Sequence, residues 1–250
     1  MAGLPGVDEV FVVRAGRYDA ARGSGLVQEL SRIGIDRFQS VWVPDSPFDV
    51  NYAQALRFNG CGQNLSTFRC MLGHYRAMAV ARELGFRRVL ILEDDVRFLK
   101  DVAMLRSALA DVPDDFRFAK LAWALKGGAT REEVLARPRK GVWLTADGLD
   151  VRDATACLWS AAGLTWWTGL VEASVHGRAF ARAEMRSADT YQMSGFYAAD
   201  DGRSFGYLSV PMLAVSQGYP CRMTASATKA GQIMARGWAA PADMATAYSW

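Results

Sequence analysis

The sequence is poor in the residues that mark several kinds of site. Its 250 residues include only two histidines, His74 and His176, and four cysteines, Cys61, Cys70, Cys157 and Cys221. No two cysteines are spaced as C-x-x-C, so a zinc site is not expected and the thiols read as reduced and mostly buried. No window approaches eighteen uninterrupted apolar residues, so no membrane-crossing helix is expected. The opening "MAGLPGVDEVFVV" has no basic segment ahead of an apolar one, so no signal peptide is expected and a cytoplasmic location is. Charge of one sign is also scarce. With 29 basic and 26 acidic residues the formal net charge is +3, too balanced for a nucleic-acid-binding surface. It suits a phosphate-bearing small molecule, and peripheral attachment to an anionic membrane stays compatible. No G-x-G-x-x-G follows the first apolar run and no G-x-x-x-x-G-K-[ST] occurs, which disfavours dinucleotide and P-loop chemistry.

Hydrophobic residues make up 51% of the chain and charged residues 22%, enough to bury a full core. One domain is expected over residues 1–250, with a core at 9–217 and a weakly patterned tail at 218–250. "EVFVV" (9–13) reads as a buried strand. "RAGRYDAARGSG" reads as a polar loop, "LVQELSRIGI" (26–35) as a helix ending near Gly34, and "FQSVWV" (38–43) as a strand. Residues 44–64 are loop-like. A helix then follows Ser66 as N-cap, with Met71, Tyr75 and Met78 on one face and Gly85 as C-cap. "RVLIL" ends this part as a strand. Further on, 101–112 reads as a helix, 116–123 and 154–160 as strands, 162–174 as a helix, and 205–217 as strands broken at Pro211. Residues 124–153 read as a long mobile or substrate-facing connection. The alternation predicts an α/β fold of Rossmann type, with a mostly parallel sheet covered on both faces.

One short stretch carries the chemistry. In "VLILEDDVRFL" (89–99) a buried-looking strand runs into Glu93, Asp94 and Asp95. Open α/β sheets bind ligands beyond the carboxyl ends of their strands. Neighbouring carboxylates repel and are costly to desolvate, and a divalent cation relieves both penalties. Oxygen donors suit Mg²⁺ or Mn²⁺. A bend would let Glu93 and Asp95 face one metal site while Asp94 points elsewhere. The same triplet also fits a solvated turn with no ligand, or a phosphatase-type site.

The surroundings favour the metal. "CMLGHYRAMAVARELGFRRVLILEDDVRF" resembles the core signature of glycosyltransferase family 25, the lipopolysaccharide and collagen galactosyltransferase-like family. Cys70, His74 and Glu93-Asp94-Asp95 fall in its order, with Gly73 where the family has Ser. Weaker matches follow collinearly at Lys120-Leu121, Ser160, Asp189, and Pro211 with Gln217. Leu158 stands where an aromatic is usual, and the Asn-Leu expected after the first strand is missing, though Arg14 and Arg17 are there. The resemblance implies a GT-A fold and an inverting, hexosyl-transferring enzyme. Its donor would be a nucleotide sugar, taken here as a UDP-sugar, with Mn²⁺ or Mg²⁺ as cofactor. The acceptor would be a glycan or glycoconjugate, as in bacterial lipopolysaccharide synthesis, at the inner face of the membrane.

On that reading Glu93 and Asp95 hold the metal, and Asp94 joins the donor-binding residues. Asp189 is the base that deprotonates the acceptor, or simply a helix N-cap. Arg14 and Arg17 hold diphosphate oxygens, or are solvated arginines. His74 bonds the donor or orients a carboxylate, or is a buried histidine with no such role. Lys120 reaches the phosphates or lies on an exposed face. Glu172 and Asp200-Asp201 are reserve bases, otherwise solvated. Trp159, Trp166 and Trp167 stack a sugar or fill the core. Two other classes fit less well: a non-catalytic sugar-nucleotide or carbohydrate-binding protein, and a metal-dependent nucleotidyl or phosphoryl transferase.

Overall fold

The computed structural model describes residues 4–15, 20–43, 65–125, 131–149, 151–176 and 205–216. Five helices lie in these segments: α1 (Ala20–Arg32), α2 (Leu65–Glu83), α3 (Val102–Ala110), α4 (Arg131–Leu135) and α5 (Ala161–His176). An eight-stranded sheet runs through them. Its strands are β1 (Glu9–Ala15), β2 (Gln39–Val43), β3 (Arg88–Glu93), β5 (Phe118–Lys120), β7 (Arg139–Lys140), β8 (Trp143–Thr145), β10 (Ala156–Ser160) and β11 (Gly206–Ser209), in the spatial order β2-β1-β3-β10-β5-β11-β8-β7. Only β10 and β8 run against the rest, so the sheet is mixed and mostly parallel. Two small ribbons stand apart, β4 (Val96–Phe98) with β12 (Ala214–Ser216) and β6 (Ala124–Leu125) with β9 (Val151–Arg152).

Both faces of the sheet are covered, as the unbroken apolar runs of β1 and β3 require. Phe11, Val13, Val89, Ile91, Cys157 and Trp159 face α2 and α5, where Met71, Met78, Leu164 and Trp167 meet them. Val10, Val12, Leu90, Leu92 and Leu158 face the other way, onto Leu26 and Leu30 of α1, Ile33 just past its end, and Leu105 and Leu109 of α3. The fold is therefore α/β in three layers.

Local chemistry explains the boundaries. In α1 and α2 the chain leaves the helix through a left-handed glycine, Gly34 (φ +77°) and Gly85 (φ +72°). After each glycine the next N–H reaches back to the helix, Ile35 to the Leu30 carbonyl and Phe86 to the Ala81 carbonyl. That is the Schellman pattern, and only glycine adopts its left-handed step without strain. Asp101 caps α3 by accepting from the Met104 N–H at 2.8 Å. Ser160 caps α5, its Oγ accepting from the Gly163 N–H at 3.1 Å.

Some expectations need correction. Helix α1 begins at Ala20, through the supposed loop, because Leu26, Leu30 and Ile33 dock on the sheet and outweigh the poor propensity of its glycines. Helix α2 begins at Leu65, so Ser66 lies within its first turn. Strand β5 is only three residues long. Within 124–153, the described residues are no open connection: β7 and β8 extend the sheet, and Trp143 is fully buried with its indole N–H on the Ala108 carbonyl at 2.8 Å. Residues 44–64 and the tail lie outside the described residues. No described helix is long and apolar enough to cross a membrane.

Ribbon β4–β12 is fastened to α1. The Glu29 Oε1 accepts from the Phe98 N–H at 2.5 Å, and Arg32 donates to both Glu29 and the Phe98 carbonyl. Burial pushes the Glu29 carboxyl up, but the bonds from Arg32 and Phe98 outweigh it and hold the group below its ordinary value. A depressed carboxyl stabilises the fold above its unfolded pKa and loses that effect as pH falls through the folded value. Glu29→Gln should therefore cost about 1–3 kcal/mol at neutral pH. In denaturant titrations, the gap from wild type should close as pH drops below the usual carboxylate range.

Two glycines of α5 offer a matched pair. A Cβ on Gly163 would lie 1.9 Å from the Arg117 carbonyl oxygen, whereas one on Gly169 would meet nothing within 4 Å. Gly163→Ala should lose about 2 kcal/mol or more. Gly169→Ala should gain roughly 0.5–1 kcal/mol. Thermal melts of the two variants should move in opposite directions.

Candidate functional site

The strand order has a break in direction. From β1 the chain goes outward to β2, and from β3 it builds the opposite side of the sheet. Helix α1, after β1, packs on one face, and α2, before β3, packs on the other. The carboxyl ends of the neighbouring strands β1 and β3 lie side by side, at the end of the sheet where open α/β folds bind ligands. Glu93, Asp94 and Asp95 sit there. Their turn is held by backbone bonds: the Glu93 N–H donates to the Thr155 carbonyl at 2.8 Å, and the Asp94 N–H to the Val13 carbonyl at 3.1 Å.

Glu93 shares the strand parity of Val89 and Ile91, so its side chain turns to the α2 face. Cys70 and His74 lie one turn apart on α2 and meet it. The Glu93 Oε1 lies 3.3 Å from Cys70 Sγ and 3.3 Å from His74 Nε2. Thr155 Oγ donates to Oε2 at 3.4 Å. The His74 side chain is 1% exposed and that of Glu93 14%. His74 Nδ1 is buried with no partner among the described residues, so the ring acts through Nε2. Of the two partners offered to His74 from the sequence, the donor and a carboxylate, it is the Glu93 carboxylate that lies against the ring.

Asp95 turns elsewhere. It is buried, and its Oδ2 accepts from Ser216 Oγ at 2.7 Å, a contact made by the pairing of β4 with β12. Glu93 and Asp95, expected to face one metal, are thus held by different partners, because the two-residue turn separates a sheet strand from a strand of the small ribbon. Asp94, between them, is half-buried.

The remaining residues divide. Lys120, expected at the phosphates or on an exposed face, does not lie on an exposed face. It is 1% exposed, and its ammonium donates to the Asp153 carbonyl, because β5 is covered on both faces. Asp153 has a left-handed backbone (φ 81°), and its Oδ1 accepts from the Thr155 N–H at 2.7 Å, linking Lys120 to the Glu93 cluster through Asp153 and Thr155. Arg14 is no solvated arginine: its guanidinium lies 5.1 Å from the Trp42 ring and 6.0 Å from Phe38, on the sheet face opposite Glu93. Arg17, Asp189 and Asp200-Asp201 lie outside the described residues. Glu172 accepts from Arg82 at 2.8 Å and from the Tyr75 hydroxyl at 3.1 Å, which makes it a clasp between α2 and α5. Trp159 and Trp167 are core, and Trp166 stacks on Phe118. Thr155, Ser216 and Asp153 were not foreseen, since no spacing near the triplet points to them.

Against known proteins, no family model matches the chain and no curated protein does. The family 25 likeness therefore rests on the motif residues alone. Among solved structures, one match is a glycosyltransferase involved in glycosylation of the major capsid of PBCV-1, at 9% identity and TM-score 0.47, covering 92% of this chain and 100% of that one. Another is a putative glucose-1-phosphate thymidylyltransferase from Bacillus anthracis, at 8% identity and TM-score 0.41, covering 76% and 83%. A third, from Thermus thermophilus, is described as a mannose-1-phosphate geranyltransferase, at 14% identity and TM-score 0.39, covering 81% and 74%. All three TM-scores lie below 0.5, so the functional reading rests on the site's own residues.

The two described cysteines differ sharply in setting. Cys157 is buried opposite Lys120 in β10, and desolvation pushes its thiol up to about 12 against the lowering effect of the Lys120 ammonium. A protonated, buried thiol is inert. Timed alkylation of the native protein with peptide mapping should modify half-exposed Cys70 well before Cys157.

Proposed function

We propose that the chain is a glycosyltransferase, moving a sugar from a nucleotide-sugar donor to an acceptor hydroxyl on a GT-A-like fold akin to family 25. The observation that carries this reading is the carboxylate triplet at the carboxyl end of β3, beside the end of β1. The donor set fits a hard cation: Asp94 and Asp95 offer oxygen only, and Mg²⁺ or Mn²⁺ takes one or two carboxylates and fills its shell with water and phosphate. Glu93, engaged by Cys70, His74 and Thr155, supports the turn from within, and Asp95 and Asp94 are the carboxylates we assign to the cation. When bound, such an ion stabilises negative charge on the departing nucleoside diphosphate.

The chain's residues do the positioning. The Ser216 hydroxyl holds one oxygen of Asp95, and the Val13 carbonyl anchors Asp94. Arg14, near the end of β1, adds positive charge at the carboxyl end of the sheet, and Arg17 follows it in sequence. Asp189, matched by resemblance, is assigned to take the acceptor proton. A UDP-sugar donor, inversion, a cell-surface glycan acceptor, a single domain over the whole chain and work at the inner face of a membrane belong to the same reading.

Nucleoside diphosphates and sugar nucleotides should raise the melting temperature in the presence of Mn²⁺. A ligand at 100 times its Kd adds about 2.7 kcal/mol. Asp95→Asn keeps an acceptor for Ser216 and so should fold, yet lose the metal-dependent part of the shift. Its turnover should fall on the order of 100-fold or more, as loss of several kcal/mol of charge stabilisation requires. Turnover should release nucleoside diphosphate. Pyrophosphate release instead would make the chain a nucleotidyl transferase, and no stabilisation by any nucleotide would overturn the reading.

A further inference from the structure

We propose that Cys70 Sγ, His74 Nε2 and Glu93 Oε1 form a site for a borderline-soft divalent cation, Zn²⁺ being the best fit, distinct from the hard-cation position assigned to Asp94 and Asp95. The three ligand atoms lie within 4.8 Å of one another. The two edges that can be measured match a metal. Tetrahedral zinc with ordinary bond lengths sets its oxygen about 3.5 Å from the sulfur and about 3.3 Å from the nitrogen. The corresponding separations here are 3.3 Å and 3.3 Å. One thiol, one imidazole and one carboxylate are also the three donor types that zinc accepts, whereas Mg²⁺ and Mn²⁺ favour oxygen.

The scaffold holds these atoms before any ion arrives. Cys70 and His74 project from a helix whose neighbouring residues Met71, Ala77 and Met78 are buried in the core. Glu93 ends a strand buried at Val89–Leu92. Thr155 bonds the other Glu93 oxygen, the supporting contact that metal carboxylates usually have. His74 is closed from water while Cys70 is half-exposed, which leaves an entry path and room for a fourth ligand from solvent. Three protein ligands and an open position is the arrangement of a reactive rather than a sealed zinc site. Binding deprotonates the Cys70 thiol and releases its proton to solvent, with no electron transfer, so affinity rises with pH.

The test uses the full chain stripped with chelator and then titrated with Co²⁺ and Zn²⁺, without nucleotide, so that this proposal and the donor reading can fail separately. One Co²⁺ per chain should bind with a sulfur-to-cobalt charge-transfer band and tetrahedral visible bands. Equimolar Zn²⁺ should displace it and excess Mn²⁺ should not. Cys70→Ser should abolish the charge-transfer band, while Cys61→Ser and Cys221→Ser keep it. His74→Gln should weaken binding by more than the roughly 10–100-fold that loss of a supporting residue costs. Far-UV circular dichroism checks that each variant folds, and Thr155→Val, which leaves all three ligands in place, should weaken binding about tenfold. Retention of the band in folded Cys70→Ser, or displacement of Co²⁺ by Mn²⁺, would overturn the proposal and leave the cluster as a hydrogen-bonded support for Glu93.

Discussion

The Glu93 carboxylate is the group around which the described site is organised. A charge at the end of a strand buried on both faces is expensive unless it is met by partners. Cys70, His74 and Thr155 supply them from α2 and from the residues leading into β10. These three bonds join a helix, the end of β3 and the segment leading into β10 at one point. Backbone bonds from Glu93 to Thr155 and from Asp94 to Val13 hold the turn from which Asp94 and Asp95 emerge. The polar cluster sits among apolar contacts of α2 with β1 and β3, so docking the helix and satisfying the carboxylate are one event. Removing a single partner would strand the others, which makes such a network costly to break.

A second set of contacts carries the turn onward. After Asp95 the chain enters β4, which pairs with β12 and is bonded to Glu29 and Arg32 of α1. The triplet is thereby held from both sides, by the sheet through Glu93 and by the ribbon through Asp95. Asp94 is left between two anchored neighbours, its own N–H fixed on Val13. Such bracing preorganises the turn, because carboxylates already in place require no rearrangement when a charged ligand arrives.

Much of the fold was legible in local patterns. The apolar runs of β1 and β3 and the glycines that end α1 and α2 each report their element through a single local mechanism. The layered α/β class follows from their alternation. Legibility failed where packing overrode propensity. The glycines at the start of α1 looked like a loop, yet the apolar face that follows draws them into a helix. The stretch from 124 to 153 has weak periodicity because its strands are two or three residues long, too short to show a period.

The sequence by itself determined the acidic triplet, its place at the end of a buried strand, the covering of both sheet faces and the helical register that puts Cys70 beside His74. These depend on neighbours within a few residues, where periodicity and capping act. Only the tertiary structure decided which side chains meet. Ser216 reaches Asp95 across 121 positions. Thr155 reaches Glu93 across 62, and Lys120, which the sequence could have set on an exposed face, is buried with its ammonium on the Asp153 carbonyl. Scarce histidine and unpaired cysteines argued against a zinc site, yet folding gathers Cys70, His74 and Glu93 at one point. The reason is physical: strand pairing and helix docking are set by burying surface over the whole chain, and no local spacing records the partners that result.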